Sequence, residues 1–127
     1  MQAIRTSKRL LRRWLTLWLE DRRRARAANH VSGPTVPNAP ANLSATDEGV
    51  DILLTWQDTS SDEFGFRVYR REGANPYGLY QTLGAGVQSY QDSAVIVEHT
   101  YRYYVVAFNA VGESAPSNEA IITFGAT

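Results

Sequence analysis

The chain has 127 residues, 43% of them apolar and 20% charged, which suits one packed domain with an appendage and is too apolar for a disordered chain. It contains no cysteine, which excludes disulfide bracing, thiolate catalysis and cysteine-ligated zinc. A net charge of zero conceals a split: residues 1–30 carry nine basic and two acidic residues, a net +7, while residues 31–127 carry four Arg and eleven acids, a net −7.

Residues 1–28 read as a basic amphipathic tail, helical over 4–28, where Leu, Arg and Ala abound and Gly and Pro are absent. At helical spacing Leu10, Leu11, Trp14, Leu15, Leu17, Trp18 and Leu19 share a face with Ile4, opposite Arg5, Arg9, Arg12 and Arg13. The apolar run Trp14–Leu19 is six residues long and meets Glu20-Asp21-Arg22, so neither a secretory leader nor a membrane span is expected. Leu11, Trp14, Leu15, Trp18, Arg22, Arg23 and Arg24 are the candidate partner-binding residues of this tail. Three partners fit: a protein groove receiving the Trp and Leu side chains, a membrane interface, or nucleic-acid phosphate read by Arg. Two Trp and five Leu exceed what a phosphate arm needs, which favours the protein groove.

Residues 29–40 read as a linker, because Pro34, Pro37 and Pro40 recur every third residue and favour an extended spacer. From Ala41 to Thr127 the period changes to two. Ile52, Leu54 and Trp56 alternate with their neighbours, as do Phe66 and Val68, and Tyr101, Tyr103, Val105 and Ala107. Turn residues separate seven short strands near 41–46, 50–57, 65–72, 79–83, 88–91, 100–109 and 117–124. The pattern predicts an all-β sandwich or barrel.

Several stretches carry a family likeness in order: Pro37 and Pro40 before Asn42-Leu43; Ile52, Leu54, Trp56 and Asp58; Gly65 through Arg70; Ser89-Tyr90 and Asp92; Thr100-Tyr101, Tyr103, Val105, Ala107 and Asn109; and Gly112 through Asn118. Over residues 37–124 the chain resembles a fibronectin type III domain of the bacterial and phage type. The resemblance implies a seven-strand β-sandwich, with Trp56 in the core and Tyr101 as a tyrosine corner bonded to upstream backbone. It also implies a non-catalytic module that presents surfaces. One corner departs from the family: Val95-Ile96-Val97-Glu98-His99 stands where a Leu and a Pro-Gly pair are usual.

No pattern for chemistry accompanies this. His30 and His99 have no ligand-spaced partners, and Asp58, Asp62 and Glu63 share a loop without EF-hand spacing, so they read as solvated acids. No nucleotide-binding or nucleophile-elbow motif occurs, and neither enzyme activity nor a cofactor or metal is expected. The candidate binding surface of the sandwich follows from alternation. If Tyr103, Val105 and Ala107 face inward, then Tyr104, Val106 and Phe108 face outward, with Tyr69 and Ile121 beside them and Arg67 and Arg71 flanking.

The expected function is a structural accessory of a phage-like particle, a decoration or tail-associated protein made in the host cytoplasm and carried in the virion. Its tail would dock on capsid or tail proteins, with homo-oligomerisation possible. One alternative is a bacterial surface or secreted module binding polysaccharide through Tyr69, Tyr77, Tyr80 or Tyr104 at the cell surface or outside the cell. The other is a membrane- or nucleic-acid-associated adaptor.

Overall fold

A computed structural model describes residues 33–126. The tail read over residues 1–28, with Leu11, Trp14, Leu15, Trp18, Arg22, Arg23 and Arg24, lies outside the described residues, as do residues 29–32.

The described residues form seven strands: β1 (Ala41–Asp47), β2 (Ile52–Gln57), β3 (Gly65–Glu72), β4 (Gly78–Gly84), β5 (Ser89–Asp92), β6 (Thr100–Phe108) and β7 (Ala120–Thr123). They make two antiparallel sheets, ordered β1-β2-β5 and β4-β3-β6-β7. The period of two is what assembles them. Ile52, Leu54 and Trp56 bury one face of β2, and Tyr101, Tyr103, Val105 and Ala107 bury one face of β6. Together with Leu43, Phe66, Val68, Ala120 and Phe124 they fill the space between the sheets. Gly65 opens β3 where another strand comes close: a Cβ there would stand 2.1 Å from the Leu83 carbonyl oxygen, so no side chain fits.

Two boundaries differ from the sequence reading by more than one residue, each for a local reason. β2 starts at Ile52 because the β1–β2 turn is held by Glu48 N–H donating to Asp51 O (2.9 Å) around Gly49 at φ 91°. β7 starts at Ala120 because Ser114 and Ser117 replace the ladder with side-chain bonds. The Val105 and Ala107 amides donate to the Ser117 and Ser114 hydroxyls (2.9 Å each), while Ser114 N–H and Ser117 N–H donate to Ala107 O and Val105 O. Proline between them, at position 116, has no N–H for a ladder.

Pro37 and Pro40, at the end of the segment read as linker, are buried. Asn38 Nδ2 donates to Thr59 O (3.2 Å) and Thr59 Oγ1 to Ala39 O (2.6 Å), so this stretch is laid along the sandwich. The side of the sandwich where β1 and β7 meet is laced shut. Asn118 accepts from Leu43 N–H (2.8 Å) and donates to Leu43 O (2.9 Å), as a neighbouring strand would.

The corner that departs from the family pattern folds all the same. Ile96 N–H donates to the Tyr101 hydroxyl (2.7 Å), which is the tyrosine corner. His99 N–H donates to Ile96 O (3.1 Å), and Glu98 takes φ 70°, a left-handed conformation costly for any residue with a Cβ. Glu98→Gly removes that cost and adds backbone entropy to the unfolded chain. The expected net result is a gain in unfolding free energy of up to about 1 kcal/mol, read by urea denaturation.

Candidate binding face

The outer face of the four-stranded sheet gathers the aromatic side chains that alternation sends away from the core. Tyr69 on β3 and Tyr104 on β6 are cross-strand partners, and their rings stack at 4.8 Å with planes 14° apart. Tyr77, just before β4, packs against Tyr104 as well, with ring centres 4.7 Å apart and planes 60° apart. Leu79 on β4 is the cross-strand neighbour of Tyr69 and is exposed. Two rings in contact with Tyr104 thus form, with it, the middle of the face, with Leu79 at one margin.

Two charged clusters frame the rings. Arg67 Nη1 donates to Glu113 Oε2 (3.0 Å), which also accepts from the Tyr69 hydroxyl (2.6 Å). The Arg67 guanidinium lies 4.0 Å from the centre of the Phe108 ring. On the other flank Glu119 accepts from the Tyr77 hydroxyl and from Arg102 Nη1 (3.2 Å for the latter). The hydrogen bond to Glu113 followed by burial pushes the Tyr69 phenol up to about 12. Burial, then the bond to Glu119, pushes Tyr77 well above the ordinary range. Both carboxyls are lowered, by the Tyr69 hydroxyl at Glu113 and the Tyr77 hydroxyl at Glu119. At neutral pH the rings are neutral donors and the carboxylates charged acceptors, which fixes the rings in place.

The architecture around this face decides the kinship. The described two-sheet sandwich superimposes on solved structures of the same fold. An Fn3-like protein from Clostridium thermocellum matches at a TM-score of 0.59 and 27% identity, over 73% of this chain and 98% of that one. The FN1–FN3 domains of chicken CNTN1 match at 0.64 and 18% identity, over 73% of this chain. The chain carries a fibronectin type III-like sandwich. A β-1,2-glucanase from Parabacteroides distasonis contains the same fold, with a TM-score of 0.64 and 24% identity over 76% of this chain. The chain spans 34% of the CNTN1 structure and 14% of the glucanase, so most of each of those proteins lies beyond the matched part. No protein-family model matches the sequence, and no curated protein matches it.

On this fibronectin-like sandwich the expected surface residues divide. Tyr69, Tyr104 and Phe108 lie on the outer face and are half-buried by one another and by Arg67; Ile121 is exposed on β7 opposite Arg102. Val106, expected to be exposed, is only 3% exposed. It lies between Tyr104 and Phe108 on β6 and is the cross-strand partner of Arg67, whose side chain reaches to Glu113 and lies over the Phe108 ring. The face is therefore an aromatic ridge in a charged frame, and Val106 is not part of its exposed surface.

Tyr80, one of the tyrosines considered for polysaccharide, is not on this face. A bulge between Val68 and Tyr69 leaves it out of the β3–β4 register. Its hydroxyl donates to Asp92 Oδ1 (2.7 Å), and the Arg70 guanidinium lies 4.0 Å from its ring centre. The acids Asp58 and Glu63 hold their own loop: Ser60 Oγ donates to both, and Gly86 N–H donates to Glu63 Oε2 (3.0 Å). Among the described residues, no three His, Asp or Glu side chains come together to hold a metal ion.

Proposed function

We propose that this chain is a non-enzymatic protein-binding module whose partner docks on the outer face of the β4-β3-β6-β7 sheet. The observation that carries the reading is the Tyr77–Tyr104–Tyr69 contact, framed by the Arg67–Glu113 and Arg102–Glu119 pairs. Tyrosine offers a large contact area with few torsions to freeze, and a polar rim fixes orientation. Fibronectin type III modules are commonly used for protein binding, which is the same class of role.

The finer form of the proposal keeps the basic tail as a second anchor. A charge of +7 in residues 1–30 against −7 in the remainder supports two regions with different partners. In this form the chain is an accessory of a phage-like particle, held to capsid or tail proteins through Leu11, Trp14, Leu15 and Trp18 and carried in the virion. The polysaccharide reading draws on a matched β-1,2-glucanase and a pectate lyase from Pectobacterium carotovorum, chains whose names imply carbohydrate substrates. Against it, a sugar stacks on an open ring face, whereas Tyr69 and Tyr104 stack on each other and Tyr77 covers Tyr104.

The test compares partner capture by the full chain and by two variants. Tyr77→Ala with Tyr104→Ala is expected to weaken binding by about 30-fold or more, the effect of losing a hot spot of about 2 kcal/mol. Thr55→Ala, on the exposed face of the other sheet, is expected to bind as the parent does. Equal capture by all three proteins would remove the face from consideration.

A further inference from the structure

Residues 73–91 contain no Asp, Glu, Lys or Arg, although 20% of the chain is charged. This stretch builds β4 and nearly all of β5, the free edges of the two sheets. The two edges border one side of the sandwich. Tyr80 reaches from β4 to Asp92 on β5, and its ring meets that of Tyr90 at 6.3 Å. The opposite side is closed by the Asn118–Leu43 bonds and by Gly125 N–H donating to Asp47 (2.7 Å), and its edge strand β1 ends in Asp47, next to Glu48. One side thus has an acidic edge strand, and on the other the exposed edge β4 carries no charge.

An edge strand offers a row of backbone donors and acceptors, and proteins commonly guard such rows with charge or proline. From Gly78 to Gly84, β4 has neither, and Gly78, Leu79, Gln81, Thr82 and Gly84 are exposed. We propose that a second copy of this chain pairs with this edge, β4 against β4, antiparallel about a two-fold axis. Such pairing sets residue i of the strand against residue j of the same strand in the other copy, so like charges near the axis would face one another across a few ångströms. β4 avoids this by having no charge at all. The acids of the sandwich lie mainly elsewhere, on turns and strand ends, among them Asp47, Glu48, Asp51, Asp58, Asp62 and Glu98. The bulge at Tyr80 interrupts the strand and leaves Gln81–Gly84 as the regular run. A contact that short is weak in dilute solution and is favoured where copies are concentrated, as on a shared scaffold.

The absence of cysteine gives a clean probe. The full chain is expected to sediment as a monomer–dimer equilibrium at millimolar concentration, and Gln81→Lys with Thr82→Lys as a monomer. A single Thr82→Cys is expected to oxidise to a cross-linked dimer at least about tenfold faster than a single Thr55→Cys, because pairing raises the local thiol concentration. Should the lysine variant not fold, the cysteine comparison decides alone. A monomer at millimolar concentration, a dimer that survives the lysines, or equal cross-linking from both sites overturns the proposal. The last of these places the contact elsewhere on the chain.

Discussion

Asp92→Ala is expected to lower the unfolding free energy by about 3–5 kcal/mol, the cost of removing one partner of a buried ion pair. Asp92 is fully buried at the end of β5. It accepts from the Tyr103 hydroxyl (2.6 Å), the Tyr80 hydroxyl (2.7 Å), Arg70 Nη1 (2.9 Å) and Ala94 N–H (3.2 Å). Alanine leaves two phenols without their acceptor and the Arg70 guanidinium, whose side chain is 16% exposed, without its counter-charge. The same network ties stability to pH. Burial raises the Asp92 carboxyl, but the bonds from Tyr103, Tyr80 and Arg70 outweigh it and hold the group below the ordinary aspartate value. A carboxyl lowered on folding contributes stability that is complete above its unfolded pKa and is lost as pH falls through its folded one. The stability gap between the parent and Asp92→Asn is therefore expected to narrow as urea titrations move from neutral pH to below the ordinary aspartate range. A gap that stays constant would mean that charge contributes nothing there.

Trp56→Ala is expected to cost about 3–5 kcal/mol, from lost apolar burial plus the cavity left between the sheets. The ring is 5% exposed, and its centre lies 5.8 Å from that of Phe66 on the facing sheet, so no single neighbour can collapse into the space. Trp56→Phe is expected to cost less than Trp56→Ala. It keeps an aromatic body in the core and removes an indole N–H that is buried without an acceptor among the described residues. Chemical denaturation with matched slopes checks both variants, and an alanine variant within about 1 kcal/mol of the parent would contradict the placement of Trp56 at the centre of the core.

Most of the sandwich was legible because each core strand obeys one rule. Ile52, Leu54 and Trp56, or Tyr101, Tyr103 and Val105, declare their face by alternation alone. The same rule put Tyr69 and Tyr104 on the outer face but could not report what covers a residue there. Val106 obeys the alternation and is still buried, beside a cross-strand partner, Arg67, that is bonded to Glu113, 46 positions away in sequence. Tyr77 and Glu119 were likewise beyond reach as a pair: one precedes β4 and the other precedes β7, at opposite edges of the sheet, and they meet because the Tyr77 side chain lies against Tyr104 on β6. Asp92 read as one residue of a family pattern. Its role as acceptor for three side chains depends on the bulge that turns Tyr80 inward, and a bulge leaves no sign in a strand's composition.

The central claim is that the tyrosine face receives a protein partner. A photo-reactive benzophenone side chain placed at Leu79, exposed at the margin of the face, in the full chain, and separately at Thr55 on the opposite sheet, tests it most directly. The account predicts a discrete protein cross-link from position 79 and none from position 55. Cross-linking from position 55 as readily as from 79, or from neither, would contradict it.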